Sequence, residues 1–153
     1  MFEIRPATWG DLRLLLEHRL AMLADVFMSE ARAEPVADME APTRAWLERH
    51  FGRDFEAWLA WRSNEVAGSA AVIWFDHPPT PVNPRGLEAY ILNVYTSPLW
   101  RRRGVARALT ERIVAEARRR GVCRIWLRTS RAGEPLYRQM GFDDSNYLQL
   151  RND

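Results

Sequence analysis

The chain has 153 residues, 47% hydrophobic and 27% charged, which fits one domain with a sizeable core and excludes a disordered or highly charged tail protein. No run approaches the roughly 20 apolar residues of a membrane span, and Met1-Phe2-Glu3-Ile4-Arg5-Pro6 holds no signal-peptide core, so a cytoplasmic protein with no membrane contact is expected. A lone Cys123 excludes an internal disulfide, and His18, His50 and His77 are too scattered for metal-ligand spacing, so no metal is expected.

The net charge of +2 conceals an asymmetry: 9 Arg against 14 acids in residues 1–100, and 13 Arg against 6 acids in residues 101–153. Every basic side chain is arginine, whose fork of donors matches phosphate. A polyanion beside the C-terminal half and a cation beside the N-terminal half both suit this field.

Phe2 to Arg5 alternates apolar and polar residues and reads as a short strand ended by Pro6. Helical spacing begins at Thr8, with Thr8 or Asp11 as cap and Leu12, Leu15, Leu16, Leu20, Leu23 and Phe27 on one stripe. Met28 to Pro42 loses that periodicity around Pro35 and reads as a loop, with room for a helical turn, rich in acids: Glu30, Glu34, Asp38 and Glu40. Pro42 to Phe51 is a second helix. Phe55 to Trp61 and Val66 to Phe75 are antiparallel strands turned at Ser63-Asn64, the second with Gly68 and Ser69 leaving room for a neighbour. Four prolines make Asp76 to Gly86 a stiff, extended connection.

Leu87 to Thr96 is the central strand; Ser97-Pro98 breaks it, three arginines follow, and Gly104 to Arg120 restarts as a helix with Val105, Ala108, Leu109, Ile113 and Ala117 inward and Gly121 as stop. In this strand, loop and helix the first helical turn presents N–H groups without intrahelical partners at an electropositive end. Gly104 and Ala106 let a phosphate approach the backbone, and Arg101, Arg102 and Arg103 add cationic donors, so the stretch reads as a pyrophosphate cradle. Cys123 to Thr129 is a strand, with Cys123 expected as a small buried hydrophobe. Glu134 to Met140 is a short helix with Pro135 in its first turn, and Tyr147 to Leu150 a last strand. The order β-α-α-β-β-β-α-β-α-β predicts an α/β (α+β) fold with a mixed, largely antiparallel sheet flanked by helices, in one domain spanning residues 1–153.

Arg101-Arg102-Arg103-Gly104-Val105-Ala106, led by Val94-Tyr95-Thr96-Ser97-Pro98, together with Ser130, Gly133, Leu136-Tyr137 and Gly141-Phe142, resembles the two signatures of the GCN5-related N-acetyltransferases. The resemblance implies acetyl-CoA as cosubstrate and direct transfer to an amine. It implies that main-chain groups near Val94, Tyr95 and Thr96 pair with the pantetheine arm. N–H groups from Arg102 through Gly104, Val105 and Ala106 to Arg107 would then hold the pyrophosphate, with Ser130 near the pantetheine. It makes Tyr137 the proton donor to the departing thiolate. Ser130 stands where the family often has Asn, with fewer hydrogen-bonding groups. A homodimer is a further expectation of the resemblance.

No base is assigned: Glu88, Tyr90 and Asn93 lie on the central strand, but one alternating set faces the acceptor, and a water relay serves as well. The acids of residues 30–40 suggest a small cationic amine such as a polyamine, an aminoglycoside-like drug or an amino-acid derivative, with peptide N-termini and protein lysines open. Two rival readings are a non-catalytic acyl-CoA sensor and a nucleic-acid face built from Arg101 to Arg103 and Arg118 to Arg120. No aromatic stacking motif supports the latter.

Overall fold

A computed structural model describes residues 1–29 and 36–152. Five strands form one sheet in chain order: β1 (Glu3–Pro6), β2 (Phe55–Arg62), β3 (Glu65–Asp76), β4 (Leu87–Thr96) and β5 (Arg124–Leu127). The first three pairings are antiparallel, and β5 runs parallel to β4. Ser63 and Asn64 both take positive φ, 49° and 65°, giving the twist that a two-residue hairpin between β2 and β3 requires.

The helices are α1 (Leu12–Ser29), α2 (Glu40–His50), α3 (Val105–Arg119) and α4 (Glu134–Gln139). Strand alternation divides the core in two. Ala57, Leu59 and Ala71 face Leu15, Leu16 and Leu47 of α1 and α2, while Ala60, Ala67, Ala70, Val72, Ala89 and Ile91 face Val105, Leu109, Ile113 and Ala117 of α3. The small β-residues on the α3 side let that helix lie close. Gly68 is the extreme case: a Cβ there would sit 2.3 Å from the Tyr95 carbonyl oxygen and 2.9 Å from Val105 Cγ1.

Several elements differ from the sequence reading. Met28 is helical, and α2 starts at Glu40, not Pro42, which lies in its first turn, where the missing N–H costs nothing; the helical turn that the sequence allowed in the acidic loop falls at Val36–Met39. Glu30, Glu34 and Pro35 lie outside the described residues. The proline-rich connection is folded back on itself, not extended: His77 N–H donates to Gly86 O, and Thr80 and Asn83 exchange backbone bonds. Cys123 precedes β5 and is exposed, not buried. Tyr147–Leu150 makes no strand; with no neighbour to complete a ladder, Leu148 is fully exposed and Leu150 is 88% exposed. No described helix is long and apolar enough to cross a membrane, and the described residues hold no metal-binding cluster.

Candidate active site

The site begins where β4 and β5 part. They pair only from Glu88–Arg124 to Ile91–Leu127, so the next five residues of β4 have no β5 neighbour. The divergence coincides with a bulge. Two steps along β3, from Ala71 to Ser69, oppose three along β4, from Leu92 to Tyr95. The extra residue falls around Asn93, whose φ is +54°, a conformation Asn tolerates better than most side chains. Val94, Tyr95 and Thr96 are half-buried and keep one backbone edge open toward the gap.

Past Thr96, a 3-10 turn over Pro98–Trp100 leads to Arg102 at φ +61° and Gly104 at φ +86°. Such alternation gathers successive N–H groups into a concave anion site. Among the described residues, no acceptor pairs with the backbone N–H of any residue from Arg102 to Arg107; the first capping bond is Ala108 N–H to Gly104 O at 3.0 Å. A Cβ on Gly104 would meet nothing within 4 Å, so the glycine answers its backbone conformation and the open space in front of it.

The three arginines of the loop have different occupations. Arg101 ion-pairs with Asp25 of α1 at 2.6 Å and reaches Thr96 O at 3.4 Å, which braces the loop against α1. Arg102 is exposed, and Arg103 lies over the Trp100 ring at 5.5 Å. Arg107 donates to Gln139 Oε1 at 3.0 Å, tying the first turn of α3 to the end of α4. The second arginine cluster is largely committed: Arg119 and Arg120 both bond Glu116, and Arg120 also grips both oxygens of Glu56.

That tie through Arg107 sets α4, which carries Tyr137, beside the cradle. The Tyr137 ring packs edge-on to Phe142 at 5.9 Å. It is 9% exposed, and burial pushes its phenol up to about 12. No described residue hydrogen-bonds its hydroxyl. Ser130 accepts the Gly133 N–H on Oγ at 3.2 Å, so its hydroxyl helps close the turn into α4.

The face of β4 toward α1 carries groups that composition could not place. Glu88 is buried and fully engaged: Oε1 takes His77 Nε2 at 2.8 Å and Arg124 at 3.4 Å, and Oε2 takes Trp126 Nε1 at 3.1 Å. His77 Nδ1 meets the Pro78 carbonyl at 2.9 Å, so both ring nitrogens face acceptors. The Pro78 bond first, then Glu88, raise its pKa. Tyr90 stacks on Trp126 at 4.4 Å. Two α1 side chains also reach this face: His18 Nδ1 meets Ser69 Oγ at 2.8 Å beside the Tyr95 ring, and Arg19 donates to Asn93 Oδ1 at 2.5 Å. Burial lowers the pKa of both.

Known proteins share this fold. The chain superposes with a TM-score of 0.87 and 31% identity on a predicted acetyltransferase from Clostridium acetobutylicum crystallised with acetyl-CoA, covering 99% of this chain and 96% of that one. It superposes equally well, at 0.87 and 29% identity over 99% of both chains, on a GCN5-related N-acetyltransferase from Ralstonia eutropha JMP134. A curated relative, the [ribosomal protein bS18]-alanine N-acetyltransferase of Escherichia coli K12, is 34% identical over 61 residues, 38% of this chain. The match spans only 41% of that relative's length. The sequence pattern of the acetyltransferase (GNAT) family matches residues 20–142, a span that begins inside α1 and takes in the parted strands, the cradle and α4. With architecture and sequence in agreement over most of its length, the chain belongs to the acetyltransferase (GNAT) family.

Proposed function

We propose that this protein transfers the acetyl group of acetyl-CoA directly to a primary amine of a small molecule or peptide. One observation carries the reading: the unpaired edge of β4 beyond Ile91 runs into six consecutive backbone N–H groups, Arg102 to Arg107, that have no acceptor among the described residues. Exposed sheet edges bind amide-bearing chains by strand addition, and clustered N–H groups bind diphosphate. The pantetheine arm and pyrophosphate of coenzyme A offer these two chemistries in that order.

In this reading Val94, Tyr95 and Thr96 pair with the pantetheine through their main chain. The N–H groups of Gly104, Val105, Ala106 and Arg107, with those of Arg102 and Arg103, hold the diphosphate. Arg102 and Arg103 supply side-chain charge, whereas Arg101, held by Asp25, fixes the loop. Ser130 keeps its hydroxyl proton available as a donor toward the arm, since its oxygen is the partner used at Gly133. Acetyl-CoA, when bound, supplies a thioester carbonyl for the amine nitrogen to attack and a sulfur that leaves as thiolate.

Tyr137 meets that sulfur as a hydrogen-bond donor. Its phenol stands at about 12, above an ordinary thiol near ~8.5, so complete proton transfer would cost about 5 kcal/mol. A hydrogen bond to the developing negative charge is the contribution such a group makes. Glu88 is not the group that takes the amine's proton, because its buried oxygens already accept from His77, Arg124 and Trp126.

Calorimetric titration with acetyl-CoA, followed by a screen of amines for released thiol, tests the reading. Binding of acetyl-CoA, none of a short DNA duplex, and turnover with at least one amine are expected. Absence of coenzyme binding would overturn the assignment. Binding with no turnover for small amines, peptide N-termini and lysine peptides alike would favour a sensor of acyl-CoA.

A further inference from the structure

Arg19 differs from the other half-buried arginines of the protein. Arg120 and Arg112, which also lie partly under neighbouring side chains, reach Glu56 and Glu116. Among the described residues Arg19 forms no ion pair, and its one side-chain hydrogen bond is Nη1 to Asn93 Oδ1. Burial disfavours its charge, and the one group acting the other way is Tyr90, across the same face. A partly desolvated cation with no counter-ion among the described residues is costly, and an anionic group on a ligand would offset that cost.

The placement of Arg19 says which ligand. Asn93 is the bulged residue at which β4 leaves β5, so the guanidinium sits at the head of the gap, on the α1 face of the sheet. The cradle for the coenzyme opens at the other end of the same stretch, past Thr96. With Nη1 given to Asn93, the Nε and Nη2 edge remains, and two parallel N–H donors match the two oxygens of a carboxylate. From these observations, and resting on the acetyltransferase reading above, we infer that the acceptor is a small amine of amino-acid type whose carboxylate pairs with Arg19 while its amine faces the gap between β4 and β5.

The contact also gives Asn93 a second duty. Its side chain holds Arg19 in place, and Arg19 in turn covers the bulge. A purely structural Arg19 would therefore affect every acceptor alike. A carboxylate anchor changes the ratio between acceptors that differ only in that group.

The test compares free α-amino acids with their carboxamides in the thiol-release assay, for the wild type and for Arg19→Gln and Arg19→Lys, with 2-aminoethyl phosphate and a neutral peptide N-terminus as further arms. A charge-assisted bidentate contact predicts that kcat/KM for an amino acid exceeds that for its amide by about 10- to 100-fold, mostly through KM. Arg19→Gln abolishes that ratio, Arg19→Lys restores it in part, and neither changes the dissociation constant of acetyl-CoA. Arg19→Gln melts no lower than the wild type, because it removes a half-buried charge with no counter-ion among the described residues and keeps an amide donor for Asn93. Equal use of acid and amide, an unchanged ratio in Arg19→Gln, or turnover confined to the phosphate or peptide acceptor would each overturn the inference and leave the acetyltransferase reading standing. So would acetyl-CoA binding with no turnover of any amino acid. Failure to bind acetyl-CoA at all would instead remove both.

Discussion

Replacing Tyr137 with Phe removes one oxygen and nothing else. The ring contact with Phe142 at 5.9 Å survives, and the lost hydroxyl has no hydrogen-bond partner among the described residues, so the fold loses no bond. The melting temperature should stay within about 2 °C of the wild type, as for a change below ~0.5 kcal/mol in a chain of this size. Catalysis should fall. The phenol at about 12 is too weak an acid to surrender its proton to the thiolate. What is lost is a hydrogen bond to a charged sulfur, about 1.5–3 kcal/mol, or about a 10- to 150-fold drop in kcat. The assay is steady-state release of thiol, with calorimetry showing an unchanged dissociation constant for acetyl-CoA. The same pKa predicts that the wild-type rate shows no alkaline limb from this group below about pH 11, since the phenol remains protonated until it nears its raised value. An unchanged kcat in Tyr137→Phe would remove the residue from the chemistry, and a drop well beyond a thousandfold would mean that the proton is fully transferred.

The remaining predictions concern the frame around the site. Glu116 of α3 is held at about 2, against an ordinary 4.5, by hydrogen bonds from Arg119 and then Arg120. A depressed folded-state value gives stability that is complete above about pH 4.5 and disappears as pH falls through about 2. With partly exposed partners this amounts to about 1–3 kcal/mol, and chemical denaturation of Glu116→Gln between these pH values should show a correspondingly flatter decline. Gly68→Ala drives a methyl group into the Tyr95 carbonyl; a loss of about 2–3 kcal/mol, read as a lower denaturation midpoint, is expected, and an unchanged midpoint would deny the close approach of β3 and β4. Gly104→Glu, at φ +86° and with open space before it, should destroy acetyl-CoA binding through strain and negative charge. Normal binding by that variant would move the diphosphate elsewhere.

What the sequence made legible was local. The run from Leu87 to Arg120 is contiguous, its strand, break and helix are announced by β-branched residues, Ser97-Pro98 and Gly104, and the structure places β4 over the same ten residues. The row of unpaired N–H groups from Arg102 to Arg107 was legible for the same reason, because a helix N-terminus carries its unpaired donors wherever it lies. What stayed hidden depends on long-range packing. Arg19 and Asn93 are 74 residues apart and His18 and Ser69 are 51 apart, so neither pair leaves a periodic signal, and the α1 stripe advertises only its leucines. The bulge at Asn93 is invisible in an alternating pattern, although Asn in a run of apolar residues is the one hint it left. Arg101 was indistinguishable from Arg102 and Arg103 by composition; only the fold brings Asp25 to it and leaves the other two facing outward. Tyr147–Leu150 failed as a strand for the opposite reason: its local pattern is adequate, and no neighbour among the described residues completes it.

Amide hydrogen exchange measured with and without acetyl-CoA tests the central claim most directly, because it reads the two sets of unpaired backbone groups themselves. Slowed exchange confined to Val94, Thr96 and Arg102–Arg107 is the predicted result. Binding of the coenzyme with those amides unprotected, or with protection elsewhere on the sheet, would contradict the account.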